Sequence, residues 1–433
     1  MTYQEQQITF DKRNHQLTNI NVWTPDSQWL VFDVRPNSVS FTGLTIERVN
    51  IKTQQQKQIY CAKNGAYVGV ATVSSENPPR YAFIHGPEDP DKNWHYDFHH
   101  RQGVIVSDIR TNVAENIEAM CITPPFLAGA LRGGTHVHVF SPDNSRLSFT
   151  YNDHVMHECD PALDLRNVAI AIPYHAINVG ILGHKKHQRE YSGHYYCVVI
   201  SETTPKPKPG SDEISRAYEE GWIGQNGYEG VNGEKQRWAI AFIGDTYSLD
   251  GKVVAEIFIV DLPESAEQYA IAGDKPIQGT ETSMPAPPKG IKQRRLTYTH
   301  QRKYPGVVNQ PRHWLRSTPD GSKIGFLMKD DRGIVQFWLV SPVSGAMQQI
   351  TQSAWDIQSA FSWDSQGRYV AFICDNSVML CEIPGGKLIR LTDRSDVPPS
   401  GDAVVISPDD SNIAYLRNID GYQQIFIVAT GIV

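Results

Sequence analysis

The chain has 433 residues, 40% of them hydrophobic and 10% aromatic, which is enough for a sizeable core and too apolar for global disorder. Charged residues make up 20% and the formal net charge is −7, a balance that argues against non-specific nucleic-acid binding through a basic face. The opening MTYQEQQITFDKRNHQ has no apolar signal-peptide core and no run approaches membrane-spanning length, so no membrane association is expected. Six scattered cysteines without CxxC spacing read as reduced thiols, and together these features predict a cytoplasmic protein.

In chain order, Gln6–Thr9 reads QQIT, a short strand that recurs at Gln348–Thr351. A first unit then runs from about Leu17 to Cys61 around TPDSQWLVF (Thr24–Phe32). A second follows from Tyr67 to Cys121, with the long connection HGPEDPDKNWHYDFHHRQG, and a third from His136 to about Gly183 around SPDNSRLSF (Ser141–Phe149). The fourth is expected over His194–Thr297, with an insertion at 203–235 in which Ser211 or Asp212 would cap a short helix. The fifth, sixth and seventh start near His313, Ser359 and Asp402, with TPDGSKIGF, DSQGRYVAF and SPDDSNIAY as their turns.

Each unit is a tight turn feeding an apolar strand, then a strand such as IFIVDLP, then a tail such as QRRLT or LIRLT. Adding the strand before the turn gives four antiparallel strands, a propeller blade. The last unit ends without its outer strand, so the N-terminal strand at 6–10 is expected to complete it and close the ring. The prediction is one all-β domain over 1–433, a single seven-bladed β-propeller. The Pro-rich stretches at 203–235 and MPAPPKG are expected on bottom loops as packing decorations or oligomer contacts.

The recurrent (S/T)-P-D-x-x-x-(apolar)-x-F, followed by an IFIVDLP-like strand and an x-(L/I)-T tail, resembles the TolB-type repeat (PD40). Oligogalacturonate lyases and prolyl-oligopeptidase propellers use the same repeat, so the resemblance implies a fold and leaves function open.

Most of the fifteen histidines map to the loops that enter the inner strands or join the second strand to the third, the top rim. Long loops on one face of a rigid scaffold are where function concentrates. They include His85, His95, His99, His100, His154, His157, His184, His187 and His300. In RGGTHVHVFSPDN, His136 and His138 alternate on an inner strand, and His313 lies the same six residues before its turn proline as His136. These three imidazoles are the predicted ligands of a divalent transition metal such as Mn or Zn, with Gly133 and Gly134 allowing close backbone approach. An alternative is a channel lined with polar residues that hold only water.

Oligogalacturonate lyases also carry an H-x-H before such a turn, another His on a different blade, and a Gln completing a Mn site. His136, His138 and His313 are similar by type, with Gln310 and Gln358 as candidates for the fourth ligand, although blade order and spacing differ. The resemblance implies a metal-dependent lyase that cleaves uronic-acid-containing oligosaccharides by β-elimination at the top of the channel. His154, His157, His194 and Tyr191 are the candidate catalytic residues. Arg13, Asn19, Asn21, Arg35, Arg132, Arg189, Arg312 and Gln358 are candidates for substrate binding, although any single arginine more often ends in a structural ion pair. A non-catalytic binding or scaffolding propeller, and a metal-dependent sugar hydrolase or isomerase, are the other readings. No G-x-S-x-G, Walker loop or HExxH occurs.

Overall fold

In the computed structural model, which describes residues 3–180 and 187–432, seven four-stranded antiparallel sheets follow one another as blades. Their inner strands are His15–Gln16, Val68–Val73, Gly133–Phe140, Ala217–Trp222, Arg316–Ser317, Ser362–Trp363 and Val404–Ile406. The seventh blade takes its outer strand from the other end of the chain: Gln6 pairs with Ile427 and Gln7 with Phe426. The ring is therefore closed as expected. Ile8, 1% exposed, continues the seam with its N–H on the Ile425 carbonyl at 2.8 Å.

The repeated turns have a common cause. Thr24, Ser141, Thr318 and Ser407 each donate a hydroxyl to the aspartate two residues on, Asp26, Asp143, Asp320 and Asp409. Each aspartate in turn accepts a backbone N–H two residues further along, an Asx turn that fixes the start of the next strand. In blade six Asp364 replaces the hydroxyl residue and accepts from the N–H groups of Arg368 and Tyr369.

Neighbouring blades are pegged together by indoles. Trp23, Trp222 and Trp363 donate to the carbonyls of Val405, Val139 and Arg316, each on the inner strand of the preceding blade. Between blades lie apolar layers, such as that of Tyr218, Ile243, Ile257, Phe326 and Met328 between blades four and five.

Three expectations about the middle of the chain are corrected. His194 does not open blade four; Tyr196–Val199 is the outer strand of blade three, and the blade-four inner strand is Ala217–Trp222, inside the supposed insertion at 203–235. Only the hairpin Tyr228–Glu229 with Lys235–Gln236 remains as an insertion in a bottom turn. No helix forms at Ser211, whose hydroxyl instead donates to the Lys208 carbonyl in a turn. The connection carrying MPAPPKG is not confined to the bottom, because the carbonyls of Thr280 and Ser283 meet the Arg132 guanidinium and that of Glu281 meets Cys159 beside the top rim. His184 lies outside the described residues.

A bulge shapes the inner strands of blades two, three and four. Gly69 pairs with Ile84 and Thr72 with Ala82; His136 pairs with Thr150 and Val139 with Ser148; Tyr218 pairs with Ile243 and Gly221 with Ala241. Two residues thus oppose one, and the one is phenylalanine each time, Phe83, Phe149 and Phe242. The first bulged residue has positive φ: Val70 61°, Val137 59° and Glu219 52°. β-Branched residues rarely occupy this region, so packing on both sides must hold the two valines there.

Candidate functional site

At the top of the channel lies a cavity of about 720 Å³. The entry segments of blades one, four, five, six and seven meet there with the second-to-third-strand connections of blades one to three. Its walls carry Arg35, Arg101, Arg166, Arg216 and Arg312, opposed in the lining only by Glu219 and Asp402. Glu219 is already paired with Arg312 Nε at 2.8 Å. Arg101 is 5% exposed and donates Nε–H to the Tyr96 hydroxyl, while its Nη1 is buried without a hydrogen-bond partner. Burial, then the charges of Arg216 and Arg101, push Arg166 down to about 10. The cavity is therefore electropositive although the chain is acidic overall, and its charge suits an anionic ligand.

His136 and His313 both line this cavity, but with His138 they do not assemble into the predicted metal triad. The bulge at Val137 breaks the strand alternation, so His138 turns away and is fully buried, with Nε2 2.9 Å from the Thr135 hydroxyl and its ring against Phe149. His313 has both nitrogens engaged: Nδ1–H donates to the Pro311 carbonyl at 3.0 Å, and Nε2 accepts the Leu327 N–H at 3.2 Å. The blade-five inner strand pairs without a bulge, so equal distance from the turn proline does not mean equal position. Burial first, then the charges of Arg101, Arg312 and Arg166, hold His136 well below its ordinary value, so it is a neutral imidazole in a positive cavity.

Among the expected substrate contacts, Asn19, Arg35, Arg312 and Gln358 line the cavity. Asn19 also braces the ring, accepting from Val404 N–H and donating to the Phe361 carbonyl. Arg35 is held by Asp33, and Gln358 exchanges hydrogen bonds with Asn376. The others do not reach the cavity. Arg13 is clamped by Glu47 and Asp11, and Asn21 lines the opposite mouth. Arg132, fully buried, pairs with Asp153 at 2.7 Å. Arg189 ties down the 88–91 segment through two carbonyls and Asp91. Arg101, Arg166 and Arg216 were missed by the sequence reading.

The candidate catalytic residues divide as well. His194 is exposed beside the outer strand of blade three, and the Tyr191 hydroxyl lies 3.5 Å from Glu118 Oε1 between blades. His154 and His157 do enter a cluster. They lie on a short helix, α1 (His154–Cys159), capped by Asp153, and face His99 and His100 from the blade-two connection. His100 Nε2 and His154 Nδ1 are 3.2 Å apart, His99 stacks on His157 at 3.8 Å, and Trp94 stacks on His100 at 3.7 Å.

One ring nitrogen each from His99, His100 and His154 lie within 4.8 Å of one another, a donor set able to hold a metal ion, whereas His136, His138 and His313 form no such group. Burial and the neighbouring imidazoles push His99 and His154 down to about 3. The glycines of RGGTHVH make the cluster possible: a Cβ on Gly134 would lie 2.1 Å from the Phe98 carbonyl oxygen, and one on Gly133 2.6 Å from the His154 nitrogen.

A seven-bladed propeller with a basic channel mouth and a rim of imidazoles defines the class. A family model described as "Protein of unknown function (DUF3748)" matches residues 67–191, which hold the Trp94–Arg101 loop, HVH and α1. The chain is 56% identical over 411 residues to the "Uncharacterized protein YidR" of Escherichia coli (strain K12), covering 95% of this chain and 94% of that one; it belongs to the YidR family. Among solved structures it is similar to an oligogalacturonate lyase in complex with manganese (TM-score 0.56, 13% identity, 99% of this chain and 93% of that one). It is also similar to an oligogalacturonate lyase from Vibrio parahaemolyticus (0.54, 10%, 100% and 98%) and to a puromycin hydrolase mutant complexed with PGG (0.52, 10%, 95% and 50%). At these identities the likeness shows the propeller fold. No helix among the described residues is long and apolar enough to cross a membrane.

Proposed function

We propose that this protein is a carbohydrate-active enzyme of lyase type, acting on a uronate-bearing oligosaccharide at the top of the channel. The observation that carries this reading is the arginine-lined cavity, above all Arg101, whose buried Nη1 has no hydrogen-bond partner among the described residues. Planar guanidinium groups bind carboxylates through paired hydrogen bonds and stabilise the enolate-like charge that develops when the C5 proton leaves.

His136 is the proton acceptor in this reading. It lines the cavity, is neutral, and is surrounded by Arg101, Arg166 and Arg312. The C5 proton moves to its ring nitrogen, the C–H electrons form the C4–C5 double bond, and the C4–O bond breaks with a solvent proton going to the leaving oxygen. A metal on His136, His138 and His313 has no part in it.

The test is to mix the protein with di- and trimers of uronic acids and follow the ultraviolet absorbance of the unsaturated product, with calorimetry for binding. Product formation that is lost in His136→Ala and Arg101→Met is expected. Binding without product would leave a carbohydrate-binding propeller, and no binding of any uronate oligomer would end the proposal.

A further inference from the structure

The loop from Trp94 to Arg101 has two faces. Phe98 and Arg101 line the anion cavity, while His99 and His100, the two residues between them, join the imidazole cluster with His154 of α1. Anything that fixes the cluster therefore also fixes a wall of the cavity.

The cluster has features of a ligand set. The His100 Nδ1–H donates to the His95 carbonyl at 2.8 Å, which leaves the Nε2 lone pair turned toward His154 Nδ1. A backbone acceptor on the far nitrogen is the usual way a metal-binding imidazole is held in the right tautomer. His99, 4% exposed, keeps Nδ1 buried without a hydrogen bond, the carboxylates of Asp97 and Asp164 standing off at 3.9 Å. Trp94 covers the group, stacked on His100 and edge-on to His154 at 4.7 Å. Three nitrogen donors favour Zn, Ni, Co or Cu over the oxygen-seeking Mn, Mg and Ca.

We infer that a nitrogen-preferring transition-metal ion held by His99, His100 and His154 clamps the 94–101 loop to α1 and so sets Arg101 in the wall of the anion cavity. The ion's work here is positional. The clamp itself does not depend on the sugar; only its effect on ligand affinity rests on the proposed function.

Protein stripped with a chelator and dialysed is titrated calorimetrically with Zn and, separately, Ni and Mn. One site per chain is expected, with Zn and Ni bound at least tenfold more tightly than Mn. His154→Ala and His99→Gln, checked for fold by circular dichroism, are expected to lose the site, and His313→Ala to keep it. Hydrogen exchange of residues 94–101 and α1 is expected to slow on Zn addition in the wild type and to stay unchanged in His154→Ala.

Folded wild type that takes up no metal, uptake that survives both cluster variants, or uptake without protection of the loop would each overturn the inference. Affinity for a uronate trimer is then compared with and without Zn. About tenfold tightening is the expected coupling, whereas a protected loop with no trimer binding in either state would reject the sugar reading and leave the clamp standing.

Discussion

His136 and His138 are two residues apart on one inner strand yet serve different compartments: His136 faces the arginine cavity, and His138 is fully buried with its Nε2 on the Thr135 hydroxyl. The bulge at Val137, φ 59°, separates them. Their alanine variants should part accordingly. His138→Ala empties a packed site against Phe149 and should cost about 2–4 kcal/mol in urea denaturation while leaving anion binding intact. His136→Ala should cost under about 1 kcal/mol and weaken or abolish turnover.

Arg132, a substrate-binding candidate from its sequence, and Arg101, which no sequence signal marks, have opposite roles. Arg132→Met strands Asp153, whose Oδ2 accepts from the guanidinium and from the Tyr151 hydroxyl, and should destabilise the fold by about 3–5 kcal/mol. Arg101→Met removes an already desolvated charge that lacks an acid partner, so stability should hold or rise and uronate affinity should fall about tenfold. Thermal midpoints and calorimetry on the two variants separate these outcomes.

Glu118 makes a pH signature measurable. It is fully buried, accepts from the Gly103 N–H and the Thr135 hydroxyl through Oε1, and has no partner for Oε2. Burial pushes it up to about 7 from 4.5. A raised carboxyl contributes stability in full below the unfolded value and loses it as pH climbs through the folded one, so its share disappears between about pH 4.5 and 7. His138, pushed down to about 3 by burial, acts in the opposite sense, losing stability as pH falls from 6.5 toward 3. Subtracting the wild-type stability curve from that of Glu118→Gln isolates the first effect. The variant should gain on the wild type by up to about 3 kcal/mol across pH 5 to 7.

The seam offers a fourth test. Ile8→Asp places a charge in the layer of Ile425, Ile427, Leu17 and Leu416 and should release the N-terminal strand. A loss of about 3 kcal/mol or more is expected, with concentration-dependent association as the last strand becomes an open edge. Size-exclusion chromatography over a dilution series reads the association directly.

The fold was legible wherever a blade's turn opens with Thr, Ser or Asp whose side-chain oxygen accepts the N–H five residues on, which covers five blades. Blades two and four lack that turn, and blade four was misplaced. Its inner strand, AYEEGW, carries two glutamates and a bulge, so it shows neither an apolar run nor alternation. The same bulge defeated the metal assignment, since a register counted from the turn proline misses one inserted residue. The rim cluster was visible as a set of histidines, but His99 and His100 meet His154 only through the tertiary contact that Gly134 permits. Arg101, Arg166 and Arg216 gave no local signal at all; each is one arginine beside a strand until seven blades face one axis.

The seam also sets a timetable. Ile425 N–H meets the Thr9 hydroxyl across 416 residues of chain. At synthesis rates of about 5–20 residues per second, the N-terminal strand waits roughly 20–80 s for its partner to be made. Blades one to six can form in order during that interval, but the seventh and the latch can form only after nearly the whole chain has left the ribosome. Until then QQIT is a loose strand on a nearly finished ring, and a nascent neighbour offering the same last blade is its natural competitor.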